Sequence, residues 1–351
     1  MKRAFRVVLS TLKWGAIGVV GVEVTSFLVI TLANLFVYGS VWEGSRVNYD
    51  GYTLFQEGPR ATTNNPPTTP GPSPEHRTIW MFGGSTMRGA TDDDTKTIPS
   101  FLAGLLNAEE ARTRFTVTNF GENSFNSLLE TRYLQKALIE QSVRPDLVVF
   151  YDGANESVYF AQFRTPYAHH GYQQVRAIVE SHRRSAFGLL KPLNAALYAS
   201  FTWELFNKVN QTLIPLEADS REVHDFIERT VQRYDYVHQQ ADFYGADFVL
   251  FWQPVLWTED CEVMPEVAEV EWEYAINKLR FTAVKENFRT VQQTLADALR
   301  GRPYFVDLRD ALCSRTAPVY QHDGVHLQDG GREMVARAMQ RLLAERGLLA
   351  R

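Results

Sequence analysis

Cysteine is nearly missing from this chain, with only Cys261 and Cys313 among 351 residues. That scarcity excludes a disulfide-framed mini-domain and a cysteine-rich zinc module. A continuous basic stripe is also missing. The 36 Lys and Arg residues are scattered among 41 Asp and Glu, giving a net charge of −5, and this argues against nucleic acid as a partner. No internal repeat is visible. At 45% hydrophobic and 22% charged content, the chain is neither disordered nor fibrous and has ample material for a full core.

Charge is missing from one place in particular. Between Lys13 and residue 39 the only ionisable group is Glu23. Roughly twenty-five residues of that character suffice to span the hydrocarbon core as a helix. Lys2, Arg3, Arg6 and Lys13 precede the run, and a basic flank predicts that the N-terminus stays in the cytoplasm. The expectation is a cytoplasmic stub and transmembrane anchor over 1–39, the membrane contact lying in 14–39. The rest of a single-pass protein of the inner membrane would then face the periplasm or exterior. A cleaved signal peptide is the competing reading, but the apolar run is long for one, and Val37-Tyr38-Gly39 is a poor cleavage site. Glu23 and Asn34 are polar at membrane depth, which would mark contact with a partner helix, such as one of an envelope complex; for Glu23 the alternative is a lone carboxyl that protonates or is tolerated in a single span. Residues 40–76 read as an extracytoplasmic linker, Pro/Thr/Asn-rich from 59 to 74, that holds the folded unit away from the bilayer.

From residue 77 onward short apolar runs alternate with amphipathic patterns. Strands are expected at 78–82, 115–119, 146–151, 247–252 and 304–308, with helical periodicity over 98–111, 128–141, 223–243, 282–299 and 333–349. Such alternation predicts βαβ units and a parallel sheet covered on both faces. Ligands of such sheets lie beyond the carboxyl ends of the strands. Small, polar and titratable residues gather just there: Gly83-Gly84-Ser85 after the first strand, 119–124 after the second, Asp152-Gly153-Ala154-Asn155-Glu156 after the third, and His322-Asp323-Gly324-Val325-His326 before the last helix.

These residue types suit acyl transfer. Ser85, on a tight strand-to-helix turn, would attack a carbonyl carbon, His326 would take the hydroxyl proton, and Asp323 would orient and stabilise the imidazolium. The N–H groups of Ser85 and Gly121 and the side-chain amide of Asn155 would make an oxyanion hole. Arg88, one turn past Ser85, and Glu156 are candidate substrate contacts. An ordinary glycine turn or anion-binding loop is the alternative for 83–89 taken alone.

Gly83-Gly84-Ser85, Gly121, Gly153-Ala154-Asn155 and Asp323-Gly324-Val325-His326 occur in the order of the four sequence blocks of the SGNH (GDSL-like) hydrolase superfamily, which the chain resembles over about 78–349. The resemblance implies a three-layer α/β/α sandwich with a flavodoxin-like parallel sheet, and ester hydrolysis or acyl transfer, often on carbohydrates or lipids. It assigns Ser85 as nucleophile, Gly121 and Asn155 as oxyanion donors, and Asp323 and His326 as the remaining pair. The chain departs from the common Gly-Asp-Ser by having Gly84, and from Asn-Asp by having Glu156. A longer departure, 157–220, is too long for one connection and carries Tyr159, Phe160, Phe163, Tyr167, Tyr172, Phe187, Tyr198, Phe201 and Trp203. A helical insertion is expected there, its aromatics forming either packing or a lid for sugar rings.

Other clusters are read as structural. His169-His170 with His182 lacks the spacing of a metal site, Asp92-Asp93-Asp94 reads as a solvated loop, and the Asp-x-x-His spacing favours His326 over His322 as base. No metal or cofactor is expected. Outside the cytoplasm Cys261 and Cys313 are free to pair, the alternative being two separate buried thiols. The expectation is therefore an esterase that removes acyl groups, acetyl above all, from an envelope or extracellular carbohydrate. An O-acyltransferase using the same residues is the nearest alternative, and a non-catalytic glycan-binding or scaffold subunit the more distant one.

Overall fold

The computed structural model describes residues 2–38, 48–66, 76–108, 113–173, 175–176, 179, 200–275 and 282–349. The chain divides into two units, one formed by Met1–Gly44 with Gly171–Ile214 and the other by Ser45–His170 with Pro215–Arg351.

The larger unit is built on a five-stranded parallel sheet of β3 (His76–Gly83), β4 (Arg114–Asn119), β5 (Leu147–Asp152), β6 (Asp247–Trp252) and β7 (Phe305–Asp307), in the order β4-β3-β5-β6-β7. This is the flavodoxin-like order, with the direction of winding reversing beside β3. The central strands are buried almost throughout, with apolar runs at 79–82, 147–151 and 248–252, because both faces are covered. Side chains alternate between the faces: Ile79, Met81, Val149, Tyr151, Val249 and Phe251 join one core. Trp80, Phe82, Val148, Phe150, Phe248, Leu250 and Trp252 join the other. The first core is closed by α3 (Ile98–Leu106) and α10 (Asp329–Glu345) through Leu102, Leu106, Val335, Met339 and Leu343. The second is closed by α4 (Ser127–Glu140), α7 (Arg221–Phe243) and α9 (Thr282–Leu299) through Leu129, Leu138, Val223, Tyr234, Val291 and Leu295. Local sequence starts these helices where the layers need them. The Thr97 hydroxyl accepts the Ser100 N–H at the start of α3, whose first turn also holds Pro99, and the Ser220 side chain caps α7. The expected three-layer α/β/α sandwich with a parallel sheet is the architecture observed.

The expected linker is shorter than its composition suggested. Asn48–Asp50 (β1) pairs with Leu54–Gln56 (β2) as a small hairpin, and Arg60 donates its N–H to the Asn119 carbonyl at 2.9 Å. Asn65 uses its side-chain amide as a substitute backbone, donating to the Val117 carbonyl (2.8 Å) and accepting the Val117 N–H (2.9 Å). The edge of β4 is thereby covered, which removes an aggregation-prone row of unpaired groups. Residues 48–66 belong to the folded unit; residues 40–47 and 67–75 of the expected linker lie outside the described residues.

The insertion is also narrower than expected. Helix α5 (Ala154–Phe163) belongs to the larger unit, where Phe160 stacks on Phe226 at 4.1 Å and the Tyr159 hydroxyl donates to the Ser124 carbonyl at 3.1 Å. Those two aromatics are packing residues. Phe187, Tyr198 and His182 lie outside the described residues.

The smaller unit holds α1 (Lys2–Tyr38) and α6 (Phe201–Leu213). Within α1, Arg6–Leu32 is 27 residues long and apolar enough to cross a membrane, a property that a signal sequence shares.

Candidate active site

Strand β3 ends at Gly83, and Ser85 opens the four-residue helix α2 (Ser85–Arg88). The Ser85 Oγ lies 2.7 Å from His326 Nε2. On the other side of the ring, His326 Nδ1 meets Asp323 Oδ2, while Asp323 Oδ1 accepts the backbone N–H groups of Val325 (3.0 Å) and His326 (2.9 Å). Nδ1–H donating to the carboxylate leaves Nε2 as the acceptor for the serine hydroxyl. Burial pushes the Asp323 carboxyl upward, but the hydrogen bond and charge of His326 and the two backbone donors outweigh it and hold the group at about 2. Ser85, Asp323 and His326, expected from two distant stretches, are brought into one relay.

The loop carrying Asp323 and His326 is held from several directions. Leu256 N–H bonds the Gly324 carbonyl (2.9 Å), Gln321 N–H bonds the His326 carbonyl (2.8 Å), and Gln321 Nε2 reaches the carbonyls of Ala90 (3.1 Å) and Leu327 (3.0 Å). Beneath it, the buried Arg315 pairs with Glu259 and Glu271, and Glu271 in turn accepts the Val319 N–H at 2.7 Å. Cys261 and Cys313 are joined as a disulfide on the same flank. Sequence reading missed Arg315, Glu259 and Glu271, since nothing in their local pattern marks a buried ion group.

Gly84 is demanded by the site. A Cβ there would fall 2.4 Å from Asn155 Nδ2 and 3.0 Å from the Phe125 carbonyl. Asn155 Nδ2 donates one hydrogen to that carbonyl, which leaves its second free for a ligand. Gly84 thus makes room for the Asn155 amide beside Ser85.

Gly121 is not the donor that was expected. Its N–H is spent on Asn119 Oδ1 at 2.9 Å in a buried bond, and a Cβ on it would lie 2.3 Å from the Arg88 backbone nitrogen. This glycine is required for close packing of its loop on α2. In the same loop Ser124 takes a left-handed conformation, φ 63°, and its N–H makes no hydrogen bond among the described residues.

The two candidate substrate contacts have structural partners instead. The Arg88 guanidinium donates to the carbonyls of Gly58 (2.9 Å) and Gly121 (3.1 Å) and pairs with Glu57 at 3.0 Å and Glu122 at 3.6 Å. It clamps the 57–58 segment over the 121–122 loop. Burial pushes the Glu122 carboxyl up to about 7, against the pull of the Glu57 and Gly58 N–H groups and Arg88. Glu156 is buried and accepts the N–H groups of Ser127 (2.6 Å) and Gly153 (2.8 Å), so it ties the turn before Asn155 to the start of α4. Nearby, the buried Glu130 and Asp152 are both raised well above the carboxylate range, first by burial and then by neighbouring carboxylates, and Asp152 accepts the Tyr234 hydroxyl at 2.8 Å. Carboxyls so placed retain a proton between them.

His169 is buried, with Nδ1 at 2.6 Å from the His170 carbonyl oxygen. Asp93 caps a short turn through the Thr95 N–H. Among the described residues the one grouping of metal-ligand types is Cys261, Asp310 and Cys313, whose two sulfurs are bonded to each other.

No protein-family model matches the chain, and no curated protein matches it either. Solved structures do. A putative lipolytic protein of the G-D-S-L family from Desulfitobacterium hafniense aligns over 76% of this chain and 99% of its own at 12% identity, with a TM-score of 0.40. The acetylxylan esterase Axe2 of Geobacillus stearothermophilus aligns over 76% and 93% at 15% identity (TM-score 0.38), and the psychrotrophic esterase EstA of Pseudoalteromonas sp. over 77% and 97% at 10% identity (TM-score 0.39). Each covers about three quarters of this chain at low identity, and by fold the chain is similar to these proteins.

Proposed function

We propose that the chain is a serine esterase in which Ser85, His326 and Asp323 form the catalytic triad. The observation that carries this reading is the continuous relay from Ser85 Oγ through His326 to Asp323 at the carboxyl edge of a parallel sheet. Ser85 Oγ bonds to the acyl carbon as its proton passes to Nε2 of His326, and the Asp323 carboxylate stabilises the imidazolium. The imidazolium then protonates the departing alkoxide, leaving an acyl-serine. Water, deprotonated by the same Nε2, opens that ester and returns the serine. The Ser85 N–H and the second Asn155 amide hydrogen supply the oxyanion hole.

The substrate reading follows from location. A single anchor over 14–39, with a basic cytoplasmic flank and a disulfide in the larger unit, fits a periplasmic or extracytoplasmic enzyme of the inner membrane. The acylated substrate there is an envelope or extracellular carbohydrate, with acetyl as the acyl group. Labelling of full-length protein with a fluorophosphonate tests the chemistry: wild type should label and Ser85→Ala should not, while His326→Ala should label slowly. An unlabelled, folded wild type would refute the reading. Turnover of acetylated oligosaccharide, followed by release of acetate, tests the substrate; acetylated acceptor glycan in place of free acetate would mark an O-acyltransferase.

A further inference from the structure

Glu23 is the one ionisable residue in the 14–39 apolar run, and in the structure its carboxylate is fully engaged within the smaller unit. It accepts the Ser200 hydroxyl (2.9 Å), the N–H of Phe201 (2.6 Å), and both the N–H (3.2 Å) and hydroxyl (2.7 Å) of Thr202. These are the first groups of α6. The Ser200 hydroxyl in turn accepts the Trp203 N–H at 3.1 Å. One helical turn further along α1, Ser26 bonds the Thr202 hydroxyl at 3.1 Å and Phe27 meets the Phe201 ring edge-on at 5.0 Å.

A helix begins with backbone N–H groups that have no partner inside the helix. In water the solvent satisfies them, and a carboxylate donated by a second helix is unnecessary. In hydrocarbon nothing does, so every such group must find a protein acceptor. Glu23 lies ten residues beyond Lys13, the last basic residue of the flank, which at 1.5 Å per residue is about 15 Å, half the thickness of the hydrocarbon core. A carboxylate at that depth is costly unless it is fully hydrogen-bonded. Each partner therefore removes the other's penalty.

One sector of α6 is apolar: at 100° per residue Phe201, Leu205, Val209 and Phe206 span about 140°, and the positions of Asn207, Gln211, Glu204 and Lys208 fall on the remaining arc. Phe201, Trp203, Phe206 and Val209 are 38%, 46%, 58% and 51% exposed, and on α1 Val19 and Val20 are 72% and 61% exposed.

We propose that α6 is a membrane-inserted half-helix, its N-terminus capped by Glu23 inside the bilayer and Phe206 and Val209 set against lipid acyl chains. The chain thus meets the membrane twice, once through α1 and once through α6. The inference does not depend on the catalytic reading. It does require that α1 be retained, because a cleaved signal sequence would remove the cap.

The test uses full-length protein reconstituted in phosphatidylcholine–phosphatidylglycerol vesicles, spin-labelled at Phe206→Cys or Val209→Cys, with Tyr236→Cys, on the larger unit and 47% exposed, as the aqueous control. Relaxation by oxygen with protection from a water-soluble nickel chelate at 206 and 209 is expected, and the reverse pattern at 236. Nickel accessibility at 206 and 209 would place α6 in water and overturn the proposal. Protection from both reagents would place it against protein and overturn the lipid assignment equally. In a Glu23→Ala background the 206 label should gain nickel accessibility by at least several-fold, whereas Glu23→Gln, which keeps an acceptor, should fall between.

Discussion

Replacing Gly84 with Ala isolates the oxyanion hole from the rest of the machinery. The added Cβ would meet Asn155 Nδ2 at 2.4 Å, about 1 Å inside ordinary contact, and the Phe125 carbonyl at 3.0 Å. Backbone on the Phe125 side is hard to displace, so the amide must give way. A misplacement of 1 Å costs on the order of a hundredfold in rate, and loss of one oxyanion donor costs roughly 10²–10³ in kcat, or about 2.7–4 kcal/mol. Gly84→Ala should therefore lower kcat for an acetyl ester by roughly a hundredfold with KM nearly unchanged. Asn155→Ala should cost as much or more. The decisive measurement is the double variant. Because Asn155→Ala removes the group that clashes, adding Gly84→Ala to it should cost less than about threefold further. Multiplicative losses in the double variant, or full activity in Gly84→Ala, would refute the assignment of Gly84 as the space in which the Asn155 amide sits. Fluorophosphonate labelling should persist in all three, more slowly, since the relay from Ser85 to Asp323 is untouched.

Arg88→Ala should destabilise the protein by about 1–3 kcal/mol in a denaturant titration, because the Gly58 and Gly121 carbonyls lose their donor and Glu122, which can take up a proton, loses its cation; a change confined to KM would restore a substrate role. Glu156→Ala should likewise lower stability, by about 2–3 kcal/mol, through two unmet backbone donors, Ser127 N–H and Gly153 N–H. Asp323, held at about 2 against an ordinary 3.8, contributes about 2 kcal/mol of stability. Its folded value is depressed, so that contribution is present above pH 3.8 and is lost as pH falls through 2; unfolding midpoints of wild type and Asp323→Ala should converge across that window. The Cys261–Cys313 bridge closes a separation of 52 residues, for which chain entropy gives about 4 kcal/mol, so Cys261→Ser/Cys313→Ser should be less stable by up to that amount with reductant no longer affecting it.

The parts of the site that the sequence made legible are those that depend on strand ends. A buried strand must stop, and at 83–85 and 152–155 it stops at glycines that let a polar side chain emerge, so Ser85 and Asn155 could be placed from pattern alone. Asp323 and His326 were legible through spacing, because one turn separates them and a single carboxylate serves both the ring and the backbone. What depended on tertiary partners was not legible. Arg88 one turn beyond the nucleophile looks like a ligand for substrate until the carbonyls of Gly58 and Gly121 are known to occupy it. Gly121 looks like a donor until Asn119 is seen to accept its hydrogen, and Asn65 looks like linker until its amide is seen to complete β4.

Glu23 shows where the two kinds of information meet. Its oddity was visible in sequence, since one carboxyl stands among some twenty-five apolar residues, and a partner helix and a lone carboxyl tolerated in a single span were the two readings open. The partner is a helix of the same chain, nearly 180 residues later, and the contact is made to the helix's end and not to its flank. An end-on contact needs only Ser200, Phe201 and Thr202, an ordinary capping sequence that occurs on many soluble helices. No periodicity marks it as membrane-borne. Only the depth of Glu23 in α1 does that, and the same depth makes the aromatic residues of 201–206 easier to understand as lipid-facing than as a lid over sugar. If α6 proves to lie in water, the cap loses its physical reason and the aromatic lid regains its place.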